Sequence, residues 1–367
     1  MNISHNDLDL PLISVIIPAY NAENFIAKTL LSVSSQTYQN LEILVVNDGS
    51  TDTTADIITS FAQKDKRVIL LEQSNAGVAT ARNLAIEKSR GEYIAPIDAD
   101  DIWYPQNLEK QLDCLMKSEP SVGVVYSWSL DINEQDLLTG GFYNSMVEGE
   151  VYTALVYKYF MGNASSCLIR RICFEKVGGY NSQLKAKNAQ GCEDLELFLR
   201  IAEHYQFKVV PEFLVGYRQI SSSMSCNYAA MAKSHSLIMA DVREQHPEIP
   251  AKIYRWSNSS FYMYNLAVKS NRNGNHLSTL FWLYQALKED LFMTLLRHNF
   301  YILSMESILR IIVTPFTQSG LEIKQQLPSS EGTKIATVNR RTMIHKMLPS
   351  QVYERIRFNI LVNRLGK

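Results

Sequence analysis

The residues able to do chemistry are concentrated in short polar segments that directly follow apolar runs. Asp98-Ala-Asp-Asp101 follows the run at 93–97, Asn47-Asp-Gly-Ser50 follows 41–46, and Pro18-Ala-Tyr-Asn21 follows 13–17. Three carboxylates within four residues repel one another unless a cation or solvent relieves them. Hard divalent ions such as Mn²⁺ or Mg²⁺ favour oxygen ligands of this kind and often bind through one or two carboxylates plus substrate phosphates. Glu193-Asp194 opens a stretch of helical periodicity that runs to 204. It is either a proton acceptor or simply the acid pair that a helix amino terminus favours. Asn47 to Ser50, taken alone, is equally well ordinary turn chemistry.

The elements that must position these segments are legible from hydrophobic periodicity. Residues 13–17, 41–46, 68–71 and 93–97 read as buried strands. Between them, Ile26, Leu30 and Val33 share one helical face, Ile57, Ile58 and Phe61 another, and 78–89 forms a third helix. Asn21 and Asp52 are expected to cap the first two helices. Strands separated by helices imply parallel pairing through right-handed crossovers, with ligands bound at the carboxyl ends of the strands. All three polar segments would then meet at one edge of the sheet. Further strands are expected at 122–130, 166–170 and 207–211. Gly162-Asn-Ala-Ser-Ser166 reads as a ligand-facing loop or as a plain loop before a strand. After Ser225 the chain turns to helices rich in Tyr, Leu and Met, broken at 271–275. Their aromatic residues at helical spacing are more consistent with core than with a ligand groove.

The 367 residues, 46% hydrophobic and 20% charged, are too many for one core and exclude a disordered chain. A formal charge of −1 excludes a polycation that binds nucleic acid. That average hides an asymmetry. Residues 334–367 hold eight basic residues against one acid (Glu354), so the rest of the chain carries a net −8. Within this tail, Val352, Ile356, Phe358, Ile360, Leu361 and Leu365 are interspersed with Arg355, Arg357 and Arg364, a composition that either docks on the domain or forms an interfacial anchor on anionic lipid. The five cysteines form no C-x-x-C pair, the first residues lack a signal-peptide pattern, and no apolar run is long enough to span a bilayer. A cytoplasmic protein, peripheral on the inner face of the cell membrane, is expected. The organisation expected is a catalytic domain at 1–225, a helical region at 226–320, and a linker with the basic tail at 321–367.

Taken together, the segments resemble glycosyltransferase family 2, the inverting nucleotide-sugar enzymes of the GT-A fold. The resemblance is carried by Ser14-Val-Ile-Ile-Pro-Ala-Tyr-Asn21, Val46-Asn-Asp-Gly-Ser-Thr-Asp52, Asn75-Ala-Gly-Val-Ala-Thr-Ala-Arg-Asn83 and Gly91-Glu-Tyr-Ile-Ala-Pro-Ile-Asp-Ala-Asp-Asp101, in that order. It continues through Val177-Gly-Gly-Tyr180, Gly191-Cys-Glu-Asp194 and Arg200. Each motif is common; the ordered set is specific. The fold implied is α/β, an open, twisted, mostly parallel sheet with helices on both faces, followed by a helical carboxyl-terminal region. The resemblance implies a nucleotide-sugar site built from Pro18, Ala19, Tyr20, Asn21, Asp48, Asn75, Gly77, Arg82, Asp98 and Ala99. In it Asp48 bonds the base, usually uracil, and Arg82 lies near the base or diphosphate. It implies Mn²⁺ or Mg²⁺ on Asp100 with Asp98, and Asp194 as catalytic base beside Glu193. The partners implied are a UDP-sugar donor and a glycan or lipid-linked acceptor, as in surface polysaccharide synthesis. One departure stands out: Tyr217-Arg-Gln-Ile220 lacks the His that helps hold the metal in many relatives, and the next His is His235. The alternative of a different class is a catalytically inactive member acting as a scaffold or sugar-binding protein. A nucleotidyltransferase would need a Gly-rich basic loop after the first strand and a dehydrogenase a G-x-G-x-x-G; neither is present.

Overall fold

Strands β1 (Ile13–Ala19) and β2 (Leu41–Asp48) are apolar along nearly their whole length because helices cover both faces of the sheet, and almost every residue in them is buried. The computed structural model describes residues 10–220 and 223–317. Strands β3 (Val68–Gln73), β4 (Tyr93–Pro96), β5 (Ile102–Trp103), β6 (Val122–Ile132), β7 (Leu138–Tyr143), β8 (Cys167–Arg170) and β9 (Gln206–Arg218) follow. Interleaved with them are helices α1 (Ile26–Ser34), α2 (Thr54–Lys64), α3 (Val78–Lys88), α4 (Asn107–Met116), α5 (Tyr152–Tyr157), α6 (Arg171–Val177), α7 (Gln183–Ala186) and α8 (Glu193–Ala202). The sheet order is β3-β2-β1-β4-β8-β6-β9-β5, with β7 on the side of β6. The ladders β3-β2, β2-β1, β1-β4 and β6-β9 are parallel, and β8 enters antiparallel between β4 and β6. This is the α/β architecture expected, a mostly parallel sheet carrying inserted antiparallel strands.

The order matters for function. β1 is flanked by β2 on one side and β4 on the other, so the chain reverses direction across the sheet at β1. A crevice opens at the carboxyl ends of strands at such a switch point. The loops after β1, β2 and β4 leave from that edge.

By contacts the chain divides into two units. The first takes in the chain up to Val151, Phe160–Lys185 and Glu193–Gln219. The second takes in Tyr152–Tyr159, Ala186–Cys192 and the chain from Ile220 onward. The second unit is helical: α5, then α9 (Tyr228–Gln245), α10 (Ala251–Ser260), a π-helical stretch Phe261–Ala267 leading into α11 (Val268–Arg272), α12 (His276–Glu289), α13 (Leu291–Leu295) and α14 (His298–Thr317). The expected break falls at Gly274, whose φ of 72° ends α11, and Asn275 caps α12 by accepting from the Ser278 N–H. Its aromatics are divided: Tyr157, Tyr254, Trp256, Phe261 and Trp282 are core, with Tyr157 and Trp256 stacked at 5.2 Å and the buried Arg297 4.1 Å above Trp256, whereas Phe281, Tyr284, Phe292 and Tyr301 are exposed. Among the described residues no helix is long and apolar enough to cross a membrane. The basic tail lies outside the described residues.

A buried polar knot anchors the start of the sheet. The Ser14 hydroxyl donates to Glu42 at 2.7 Å, and the Gly91 N–H donates to the Ser14 oxygen at 2.8 Å. A Cβ on Gly91 would sit 2.5 Å from the Ser14 oxygen, 2.6 Å from the Leu12 carbonyl and 2.7 Å from the Ser14 nitrogen. Two of these neighbours are backbone and cannot swing away. Gly91→Ala should therefore cost about 1–3 kcal/mol in chemical denaturation; an unchanged midpoint would show that the entry to β4 shifts freely.

Candidate active site

The acidic loop after β4 is held from three directions. Asp101 is fully buried: it accepts from the Arg218 N–H at 2.8 Å and from the Ser165 hydroxyl. The same Ser165 oxygen accepts the Asp98 N–H at 3.0 Å, and Thr29 donates to the carbonyls of Ala99 and Asp101. The Arg218 side chain, itself buried, donates through Nε to the Asp100 carbonyl at 2.6 Å and lies 2.6 Å from Asp136. Asp101 is thus structural, and burial, with Asp100 and Asp98 beside it, raises its pKa well above the usual carboxylate range. Asp98 and Asp100 remain partly accessible. Burial, reinforced by Asp98, pushes Asp100 up to about 7.

One guanidinium joins this loop to α8. Arg82, on α3 and only 3% exposed, donates through Nη2 to Asp98 Oδ1 and through Nη1 to Asp194 Oδ1, both at 2.6 Å. Its guanidinium lies 4.9 Å above the ring of Tyr180. Tyr180 is fixed in turn by Asn83, which accepts its N–H and donates to its carbonyl, both at 2.8 Å. Gly179 leaves room for this, since a Cβ there would lie 2.3 Å from Asn83 Oδ1. Arg82 and Asn83 are neighbours on one helix, so the cation and the residue beneath it are placed by the same element. Asp194 sits in the first turn of α8 with Glu193 beside it, and Glu193 is buried. Burial, with Asp98 and Glu193 nearby, raises the Asp194 carboxyl to about 6 even though Arg82 pulls it down.

The loops after β1 and β2 are sewn together. Asn21, at φ 47°, accepts the Thr51 N–H at 2.9 Å and donates its own N–H to Ser50 at 3.0 Å. The Ala22 N–H bonds Thr54, and Glu23 exchanges bonds with Asp52 and Thr53. Asn21 therefore does not cap α1, which begins five residues later. Its amide is spent on the neighbouring loop. Asp52 does serve the start of α2, accepting from the Thr54 N–H. Asp48 closes a third turn. Its two oxygens accept from Gln73 Nε2 and the Ala76 N–H at 2.7 Å and from the Gly77 N–H at 2.8 Å. Gly77 has φ 93°, and Asn75 accepts from Lys185 Nζ. Pro18 and Ala19 end β1, and Tyr20 is exposed at its tip.

The residues singled out from the sequence thus fall into two linked sets. Asp98, Asp194 and Arg82 are in direct contact, with Ala99, Asp100 and Glu193 adjacent in the chain. Asn21 with the turn at Ser50, and Asp48 with Asn75 and Gly77, brace neighbouring loops. What sequence reasoning did not assign are the roles of Ser165, Asn83, Tyr180 and Arg218, which position the acids. Gly162 to Ser166 supplies the Ser165 brace, and Asn163 in it is buried and donates to Ser129.

Comparison with known proteins now decides the kinship. A family model described as glycosyl transferase family 2 matches residues 14–178. A putative teichuronic acid biosynthesis glycosyltransferase of Bacillus subtilis, TuaG, is 31% identical over 238 residues, which cover 64% of this chain and 90% of that protein. The chain belongs to glycosyltransferase family 2. An uncharacterized glycosyltransferase of Haemophilus influenzae is 43% identical over 112 residues, 30% of this chain, and the match spans 45% of that protein's length. Among solved structures, S. aureus TarS 1-349 in complex with UDP-GlcNAc superposes with a TM-score of 0.53 at 16% identity, covering 84% of this chain and 93% of that one. A Pyrobaculum calidifontis mannosyltransferase in complex with GDP-Man and Mn²⁺ gives 0.52 at 19%, covering 84% and 88%. These two likenesses show that this family 2 chain has the GT-A fold.

The clamp makes a prediction. Arg82→Met would leave two partly buried carboxylates without their cation, a change that costs less than about 3–5 kcal/mol, the cost of breaking a fully buried pair. The Asp194 carboxyl, raised to about 6 by burial, is protonated at low pH and relieves this cost, so the loss should be greater at pH 8 than at pH 5. Denaturation at the two pH values checks it; equal losses would mean that Arg82 acts through packing alone.

Proposed function

We propose that this chain is an inverting glycosyltransferase that moves a sugar from a UDP-sugar to a hydroxyl of a glycan or lipid-linked acceptor, as in surface polysaccharide synthesis. The observation that carries this reading is the pair of charged hydrogen bonds that Arg82 donates, one to Asp98 and one to Asp194. It brings the acidic loop after β4 and the acid at the start of α8 to one place, at the sheet edge where nucleotide sites form.

In this reading the loop at Pro18 to Asn21, the Asn75 to Gly77 turn and Asp48 enclose the nucleotide, and Arg82 with Asp98 lies along the diphosphate and ribose. Asp100, with Asp98, is the pair to hold Mn²⁺ or Mg²⁺. Among the described residues no three side chains of the metal-binding types are grouped to cage an ion. An ion bound mainly by phosphate and water needs only one or two carboxylates, and a cation beside Asp100 would offset the burial and the Asp98 charge that raise its carboxyl. Such an ion, when bound, screens the diphosphate as leaving group. Asp194 takes the proton from the acceptor hydroxyl while the bond from its oxygen to the anomeric carbon forms and the bond to the diphosphate breaks. Attack from the opposite face turns an α-linked donor into a β-linked product. Arg82 holds Asp194 ionised at neutral pH despite its burial. Glu193 is the neighbouring acid that keeps the Asp194 pKa from falling further. The basic tail at 334–367 gives peripheral contact with anionic membrane at the cytoplasmic face.

Hydrolysis of a panel of nucleotide sugars with Mn²⁺ tests the whole reading, and no turnover of any donor would favour an inactive, sugar-binding member. Two substitutions test its parts. Asp194→Asn should lower turnover about 10²–10⁴-fold with donor affinity kept. The wild-type rate should rise with pH through about 6 and then level, since the base must be ionised; near-normal turnover of the variant would shift the role to another group. Asp100→Ala should abolish the Mn²⁺ enhancement of UDP binding in calorimetry, and an enhancement equal to wild type would remove Asp100 from the metal site.

A further inference from the structure

Helix α14 is amphipathic in the inverted sense. At about 100° per residue, positions 301, 302, 305, 308, 309, 312 and 313 fall within about 140° of one another. All seven side chains are large, apolar and exposed, Met305 to 65% and Leu309 to 57%. The stripe that α14 buries is narrow and centres on Leu303 and the small Ser307, with the exposed Glu306 and Arg310 along its margin. Its neighbours add to the outward apolar surface: α12 exposes Phe281 and Tyr284, and α13 exposes Phe292 and Leu296. A helix of a water-soluble domain ordinarily turns its apolar stripe inward, and exposed apolar surface on this scale marks an interaction site.

We propose that the outward face of α14, with α12 and α13, docks on an anionic lipid surface. Charge selects this occupant. Over residues 276–313, Lys288, Arg297 and Arg310 equal Glu289, Asp290 and Glu306 in number, but Arg297 is buried, so the accessible charges here sum to −1 and a cationic contribution must come from elsewhere in the chain. Residues 334–367, not far beyond it, carry a net +7. An apolar face joined to a cationic segment is the two-part composition of an interfacial anchor, in which burial of side chains and attraction to headgroups add. A second copy on this face would gather two segments of +7 in one assembly. The chain's own tail, at +7, would find an excess of only one acid there. Lys288, 5.6 Å over the ring of Tyr284, supplies the cation-and-aromatic edge suited to the headgroup layer. The inference adds an apolar, salt-resistant component to the tail contact proposed above, and does not depend on the donor chemistry.

The experiment is sedimentation of the full chain with phosphatidylcholine vesicles, with and without phosphatidylglycerol, at low and high salt. The wild type should bind the anionic vesicles and keep part of that binding at high salt. Ile302→Ser, Met305→Ser, Leu309→Ser and Ile312→Ser combined should lose the salt-resistant part, by about tenfold or more, with thermal melting and UDP binding unchanged. Deletion after Thr333 should lose only the salt-sensitive part. As a second readout that needs no loss of binding, Met305→Cys carrying a polarity-sensitive fluorophore should shift to the blue on adding anionic vesicles. Wild-type partition by the fourfold variant with no fluorophore shift would overturn the proposal. So would a wild-type dimer in ultracentrifugation that the variant dissociates without any change in vesicle binding, which would assign the face to a second copy. A blue-shifted label without vesicles, lost on deleting the tail, would assign it to the tail.

Discussion

Carboxylates cannot be crowded into a protein edge without something that offsets their repulsion and their lost hydration. Here Asp98, Asp100, Asp101 and Asp194 share one region, and the arrangement depends on Arg82. A buried guanidinium holds its charge where a lysine would tend to lose it, and its planar fork reaches two carboxylates at once. Burial works against its charge, but Asp194 and Asp98 more than compensate and raise its pKa well above the usual value. Of the two remaining acids, Asp101 is satisfied separately by Ser165 and the Arg218 N–H, and the charge of Arg218 partly offsets the raised Asp100 carboxyl. Two cations from different elements thus divide the work, with Arg82 serving Asp98 and Asp194 and Arg218 bracing the loop at Asp100 and Asp101.

Much of the fold was legible because its signals are local. Fully apolar β1 and β2, the one-sided faces of α1 and α2, and the polar segments at strand ends all follow from periodicity, and the parallel pairing follows from the helices between strands. β9 was read too short: Pro211 and Glu212 interrupt its apolar run, yet the strand continues to Arg218 because β6 pairs with it across the bulges. Asn21 was read as a cap because Asn before a helix usually is one. Its left-handed backbone and its bond to Thr51 depend on a loop thirty residues away, which no local pattern encodes.

Within the site, the acids were legible from type and position, and their order along the chain made the family resemblance specific. The braces were not. Ser165 is an ordinary serine in a Gly/Asn/Ser loop until β8 is placed beside β4. Asn83 and Tyr180 stood in the resembling motifs, but their pairing spans 97 residues and is visible only in three dimensions. Positioning residues make contacts that sequence spacing does not report, whereas carboxylates betray themselves by their repulsion.

The stitching between the loops after β1 and β2 has its own consequence. Asn21 holds Ser50 and Thr51, Ala22 holds Thr54, and Glu23 holds Asp52 and Thr53, so the two segments form one rigid body although some thirty residues of chain separate them. Neither can be redesigned alone. A transplant that exchanges Tyr20 to Glu23 for another protein's loop must bring the partner stretch at Ser50 to Thr54 with it. In an evolving lineage the two stretches are then expected to change together, as a single inherited cassette.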